Sequence, residues 1–342
     1  MIIPSRPRAL PLAIGVTSAI AGTIVALYYH RLGLTLSHYD ARGHLIVARR
    51  VFDSITPGWQ QIGAVWLPLP HLINALPVQV DAFYRSGATA VALSILAFAV
   101  ATGAIAAIVH RATGSPVAAL IGSAAFASNP NVLYLQSTPM TEPLLLGLTL
   151  LAIALLMRWS DARLSDSGGA GLKPCATWTV GLAFALACLT RYEAWPVTVC
   201  ALAAAVWTRY RNGDRLVEAC RHVSAIALYP ALAIVAFLTL SRVVGGEWFA
   251  VSGFFVPENK ALGQPLVALA EIGWGAHALT GSIVLAMATV GLFVLLVRAM
   301  CVPGRADSLM ALALLASAAL PWAAFVKGHP FRIRYMVPLI GA

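Results

Sequence analysis

The sequence is short of charge. Only 11% of its 342 residues are Asp, Glu, Lys or Arg, against roughly 25% in an ordinary soluble domain. It shows no heptad pattern and no repeat at solenoid spacing, which excludes a coiled coil or a repeat array. No stretch reads as a soluble domain, and the one Gly/Ser-rich linker is short, around Ser165 to Gly171. Five cysteines, Cys175, Cys188, Cys200, Cys220 and Cys301, lack metal-ligand spacing and read as inert thiols in helices or on a reducing side. Acidic residues are the scarcer sign, 13 against 23 basic, for a net charge of +10. The basic residues are scattered between apolar runs, so the excess implies no nucleic-acid partner. It reads as loop charge bias and attraction to anionic lipid.

What is abundant is apolar sequence: 60% of residues are hydrophobic and the mean hydropathy is +0.82. A bilayer demands this, since a spanning helix takes about 20 apolar residues. The first run goes from Ala9 to Tyr29 behind Arg6 and Arg8. Ala19-Ile20-Ala21 resembles a cleavage site, but the run continues past it, and an uncleaved anchor is the reading preferred to a signal peptide. Later runs are Gly87 to Val109, Pro116 to Ala127, Pro143 to Met157, Trp178 to Leu189 and Ala194 to Trp207. Val223 to Val244, Thr280 to Val297 and Leu309 to Val326 complete the set. The expectation is an all-α polytopic membrane protein, a single transmembrane domain over 1–342 with about nine spans.

Short loops set the orientation. With the N-terminus inside, cytoplasmic turns carry Arg111; Arg158, Arg163 and Lys173; Arg209, Arg211, Arg215 and Arg221; and Arg298 and Arg305. The outer turn from Ser128 to Thr141 has no Lys or Arg. This is a positive-inside pattern. It implies a multi-pass protein of the cell membrane with its N-terminus in the cytoplasm and a first outer loop over 30–86.

That loop holds the chemistry. From Asp40 to Phe52, apolar Leu45, Ala48, Val51 and Phe52 recur at helical spacing, predicting an amphipathic helix on the membrane surface. Asp40 at its start is either a helix cap or a general base at the membrane–water boundary. Asp40 and His44, four apart, share a helix face; with His38 they offer metal-type ligands, but a solvated or acceptor-contacting His44 is preferred. Trp66 and His71 are candidates to line a pocket, with an aromatic belt as the alternative for Trp66. His329, Arg332 and Arg334 form a cationic patch outside the last run, suited to a phosphate or to lipid headgroups. Glu142 and Glu193 sit at outer helix ends, where ionisable groups are functional candidates. Glu142 either positions a hydroxyl or caps its helix. Arg191 and Glu193 either pair with each other or Asp40, or contact substrate. The outer loop from Gly245 to Gly275, with Glu247, Trp248, Phe249, Phe254, Phe255 and Lys260, covers a site or dips into the interface.

The order of Tyr39-Asp40-Ala41-Arg42, Trp66-Leu67-Pro68-Leu69-Pro70, Thr138-Pro139-Met140-Thr141-Glu142-Pro143, Thr190-Arg191-Tyr192-Glu193 and His329-Pro330-Phe331-Arg332-Ile333-Arg334-Tyr335 resembles the GT-C superfamily of membrane glycosyltransferases. The likeness is to bacterial members related to protein O-mannosyltransferases and the lipid A aminoarabinose transferase. It implies a GT-C-like helix bundle with surface-lying helices in the first loop, and a polyprenyl-phosphate sugar used on the extracytoplasmic face. It also implies Asp40 as the base, acting on the hydroxyl of an unnamed acceptor. Arg332, Arg334 and His329 would take the donor phosphate; Glu142, Arg191, Glu193, His44 and Trp66 would contact substrate. No cofactor is implied, and no metal for transfer. Many relatives have two adjacent acids where this chain has Asp40-Ala41. Relatives carry further helices, and Tyr335 to Ala342 reads as the first turns of another span, the expectation for a C-terminally truncated form. A transporter or lipid flippase is the alternative. It would place polar sites at the bilayer midplane in repeated halves, and no repeat is visible.

Overall fold

The computed structural model describes residues 9–161, 176–248, 255–302 and 304–342. The Ser165–Gly171 linker, Cys175, Arg6, Arg8, Arg163, Lys173, Phe249 and Phe254 lie outside the described residues. Among the described residues, 78% are helical and no strand occurs.

The first half contains α1 (Ala9–Arg31), α2 (Tyr39–Arg50), α3 (Leu69–Ala75), α4 (Asp81–Ser86) and α5 (Ala88–Thr113). Then come α6 (Pro116–Ala127), α7 (Pro130–Leu135) and α8 (Glu142–Asp161). The second half contains α9 (Thr177–Cys188), α10 (Ala194–Arg211), α11 (Leu216–Gly245), α12 (Pro265–Thr280), α13 (Ser282–Cys301), α14 (Ser308–Leu312) and α15 (Ala319–Val326). Among the described residues, six stretches are long and apolar enough to cross a membrane: α1, α5, α8 as Glu142–Ser160, α11, α13 and Ser308–Val326. The chain is an all-α, multi-pass membrane protein whose apolar helices meet lipid. The runs at α6 and α9 form helices of 12 residues, about 18 Å long against roughly 30 Å of hydrocarbon. α10 has 18 residues but ends on Arg209 and Arg211.

Two segments differ from the sequence expectation. The outer loop placed at Gly245 to Gly275 includes most of α12, which starts on Pro265 at a position where a missing N–H costs nothing. Glu271, Gly273 and Gly275 interrupt its apolar run and hid the helix. At the other end, Ile333–Gly341 winds as a 3₁₀ helix containing Pro338 rather than as α-helical turns.

The chain packs as two compact units. The first holds α1 to α7, α8 as far as Leu151, the turn Leu189–Arg191 and α11 from Phe237. α1 lies against α5 at backbone distance: a Cβ on Gly103 would stand 2.9 Å from the Pro11 carbonyl oxygen, and one on Gly15 3.1 Å from that of Ala99. Small residues permit such approach where apolar burial gives helices no preference over lipid. α6 is capped by Ser115, whose hydroxyl accepts from the Ala118 N–H at 3.1 Å, and α7 by Asn129, which accepts from Asn131 and Val132. Together they carry the chain back along α5. Ser94, near the start of α5, donates to the Thr138 carbonyl at 2.9 Å, and Ser37 meets the Tyr134 hydroxyl at 2.9 Å. The Ser128–Thr141 turn and the first outer loop therefore share one end of this unit.

The second unit holds α8 from Ala152, α9, α10, α11 to Ala236 and α12 to α15. Within it Arg209 is almost fully buried, ion-paired to Asp214 and stacked over Trp159 at 5.1 Å. A buried cation needs such neutralisation.

Candidate functional site

The cap of α2 is His38, in extended conformation, whose Nδ1 accepts from the Asp40 N–H at 3.1 Å. This corrects the cap reading of Asp40, which sits inside the first turn as its second residue. A carboxylate there still faces the positive end of the helix. Asp40 and His44 are both under 10% exposed, on the side of α2 that carries Ala41, Leu45 and Ala48. Leu45 and Ala48 pack with Val78 and Ala90. Thus the apolar face of α2 is covered by protein, and Tyr39, Ile46 and Phe52 are exposed instead. Of the four apolar positions expected on one face, Leu45, Ala48 and Val51 are buried and Phe52 is not.

His44 Nδ1 lies 3.0 Å from His71 Nε2, and His71 Nδ1 lies 3.1 Å from the Leu67 carbonyl oxygen. Burial pushes His71 down to about 4 because a charged imidazole loses its hydration there. The Trp66 ring stands 4.4 Å from that of His44 and stacks near His71 at 5.8 Å. It rests on α2 at Gly43, where a Cβ would come within 2.8 Å of it. Only glycine leaves room for the indole there. A crevice of about 10 Å³ opens beside His44, with Asn74, Ser94 and Thr141 among its walls. That is room for about one water. The loop is clamped at its far end by Arg49, which bonds Asp53 at 2.7 Å and Asp81 at 2.6 Å and covers Tyr84. Those bonds hold Arg49 above and Asp81 below their ordinary pKa values.

Glu142 begins α8 with its side chain wholly buried. Arg191 donates from Nη1 to Glu142 Oε1 and to Thr141 Oγ1, both at 3.0 Å. Arg191 was expected to pair with Glu193 or Asp40, and its bond to Glu142 adds a partner the sequence did not suggest. The neighbouring Leu189 carbonyl accepts from the Leu69 N–H at 3.0 Å, which fixes this turn against the first loop. Asp40, His44, Trp66, Glu142 and Arg191 thus belong to one unit.

Glu193, His329, Arg332 and Arg334 belong to the other. Glu193 precedes α10 and is 4% exposed. His329 Nδ1 donates to the Pro330 carbonyl at 2.9 Å, and the Tyr335 hydroxyl meets its Nε2 at 3.4 Å. Its pKa is lowered, first by burial and further by the charges of Arg332 and Arg334. Arg332 is exposed, and Arg334 lies over the Tyr335 ring at 5.7 Å.

Among the described residues, no three His, Cys, Asp or Glu side chains converge as a metal site. His38, the third member of the candidate set in the first loop, spends its Nδ1 on the α2 cap.

No protein-family model, curated protein or solved structure matches this chain. The resemblance to the membrane glycosyltransferases rests on the motifs in the sequence. Sequence reasoning marked His71 only as a pocket residue. Its bond to His44 spans 27 positions, and no local pattern signals such a pairing.

Proposed function

We propose that the protein is a glycosyltransferase of the cell membrane, N-terminus in the cytoplasm, transferring sugar from a polyprenyl-phosphate donor to an acceptor hydroxyl on the extracytoplasmic side. Asp40 is the general base, and direct displacement inverts the anomeric centre. The observation that carries this reading is the buried pair of Asp40 and His44 on one side of a helix clamped at the end of apolar helices. Burying two ionisable groups there is costly, and a carboxylate and an imidazole held on one helix side suit proton transfer. The buried Glu142–Arg191 pair, beside the same crevice through Thr141, offers polar contacts for a sugar. His44 and Trp66 would add theirs. In the second unit, Arg332 and Arg334 with His329 are proposed to hold the donor phosphate, by their chemistry and the motif they share with the family.

Transport is disfavoured by where charge lies. In the six candidate spans, Asp, Glu, Lys, Arg and His fall only in the first or last two turns, whereas transporters put polar sites near the midplane.

The test is sugar transfer in proteoliposomes. D40N should lower the rate by at least ~100-fold, the usual share of a general base, with expression and thermal stability kept; full activity would remove Asp40 from the mechanism. R332A and R334A should each weaken binding of the polyprenyl-phosphate donor, read by titration; unchanged affinity in both would assign those arginines elsewhere.

A further inference from the structure

Two histidines of the first loop, His44 and His71, form a hydrogen-bond chain with a direction. The Leu67 carbonyl can only accept, so His71 Nδ1 carries the proton it donates across 3.1 Å. The His71 ring is 1% exposed and, with its pKa near 4, stays neutral at physiological pH. Its Nε2 therefore keeps the lone pair, and His44 Nδ1, 3.0 Å away, is the donor. Neutral His44 must then accept protons at Nε2. Its cation keeps the bond to His71, so His71 favours protonation of His44 just as second partners of reactive histidines do. Trp66, seated on Gly43, holds both rings in place.

We propose that His44 is a second proton acceptor of the site, oriented by His71 as its positioning residue, and takes at Nε2 the proton that Asp40 removes from the acceptor hydroxyl. This rests on the glycosyltransfer reading. The acceptor O–H bond breaks as its oxygen bonds the anomeric carbon, and the bond from that carbon to the phosphate oxygen breaks with its electron pair leaving on phosphate. The proton moves to the Asp40 carboxylate, then to His44, then to water, so no further reactant is needed. Asp40 stands one turn before His44 on the same helix face, and a water-sized crevice lies beside His44.

The charged surroundings are few. Of the elements packed on α2, α3 brings only His71, the 3₁₀ turns at 59–62 and 77–79 bring no ionisable group, α4 brings Asp81, Tyr84 and Arg85, and α5 meets it through Ala90. On α2 itself, Arg42 donates to the Leu36 carbonyl, Arg49 is tied to Asp53 and Asp81, and Arg50 closes the helix. Past the crevice wall at Thr141, Glu142 is neutralised by Arg191.

The experiment combines NMR of histidine-¹⁵N-labelled protein in nanodiscs with pH–rate profiles of transfer. Both rings should be Nδ1–H tautomers at pH 7, and H71F, which removes the acceptor of the His44 Nδ1–H bond, should move the acid limb of the profile to lower pH. H71Q, whose amide can serve both the Leu67 carbonyl and His44 Nδ1, should restore it. H44Q should lower kcat by ~10- to 100-fold with donor KM unchanged. An Nε2–H tautomer of His44, or an acid limb unmoved by H71F, overturns the proposal. If D40N is inactive while H44Q keeps the full rate at every pH, the Asp40 reading stands and this inference falls. If the wild-type protein transfers no sugar, the glycosyltransfer reading falls and the catalytic part of this inference with it, while the tautomers still decide whether His71 orients His44.

Discussion

Glu142 and Arg191 are 49 positions apart and meet in the interior, the carboxylate fully buried and the guanidinium nearly so. Neither charge would be tolerated there alone, because desolvation exceeds what imperfect partners return. R191L should therefore destabilise the protein by about 3–5 kcal/mol, the usual cost of stranding one buried charge, read as a loss of thermal stability in detergent. The double variant E142L/R191L should recover much of that loss, because no charge is left stranded; equal instability of single and double variants would show that Arg191 acts through other contacts. At this scale the sequence marked which residues matter but not their partners. Glu142 and Arg191 stand out as ions at the ends of apolar runs, whereas one of the two readings of Asp40 gave it the cap position that His38 occupies. Both residues can accept from a helix N–H, and local pattern does not choose between them.

Apolar runs specified the long helices well. The run Gly87 to Val109 became α5 (Ala88–Thr113) and Val223 to Val244 lies inside α11 (Leu216–Gly245), since in lipid every backbone group must bond within its own helix. Packing between helices was less legible. The meeting of Gly103 with Pro11 and of Gly15 with Ala99 depends on backbone positions that no hydropathy pattern encodes. G103V would place side-chain carbons against the Pro11 carbonyl and should cost about 1–3 kcal/mol, as overpacking does. Thermal denaturation of the detergent-solubilised protein reads it; an unchanged midpoint would mean that α1 and α5 separate at no cost. α12 was missed for a related reason: Glu271 and two glycines diluted its hydropathy while its Pro265 start remained a valid helix signal.

At the scale of the chain, the short α6 raises the question of which side the Ser128–Thr141 turn occupies. The contacts Ser94–Thr138 and Ser37–Tyr134 put that turn at the same end of the first unit as the first loop. In a background lacking the five native cysteines, I55C and S128C, both at exposed positions, should react with a membrane-impermeant thiol reagent from the outer side. Labelling from opposite sides would break the outer-face arrangement. The sequence by itself determined the class of molecule, a bundle of apolar helices, because hydropathy and helix length are local sums over contiguous residues. It also marked Asp40, His44, Glu142, Arg191 and Glu193 as site candidates, each beside a structural alternative. Only the tertiary structure decided that His44 bonds His71, that Glu142 bonds Arg191 and that the inner face of α2 meets protein. Each of those is a contact between distant segments, set by how the helices pack and not by any spacing along the chain.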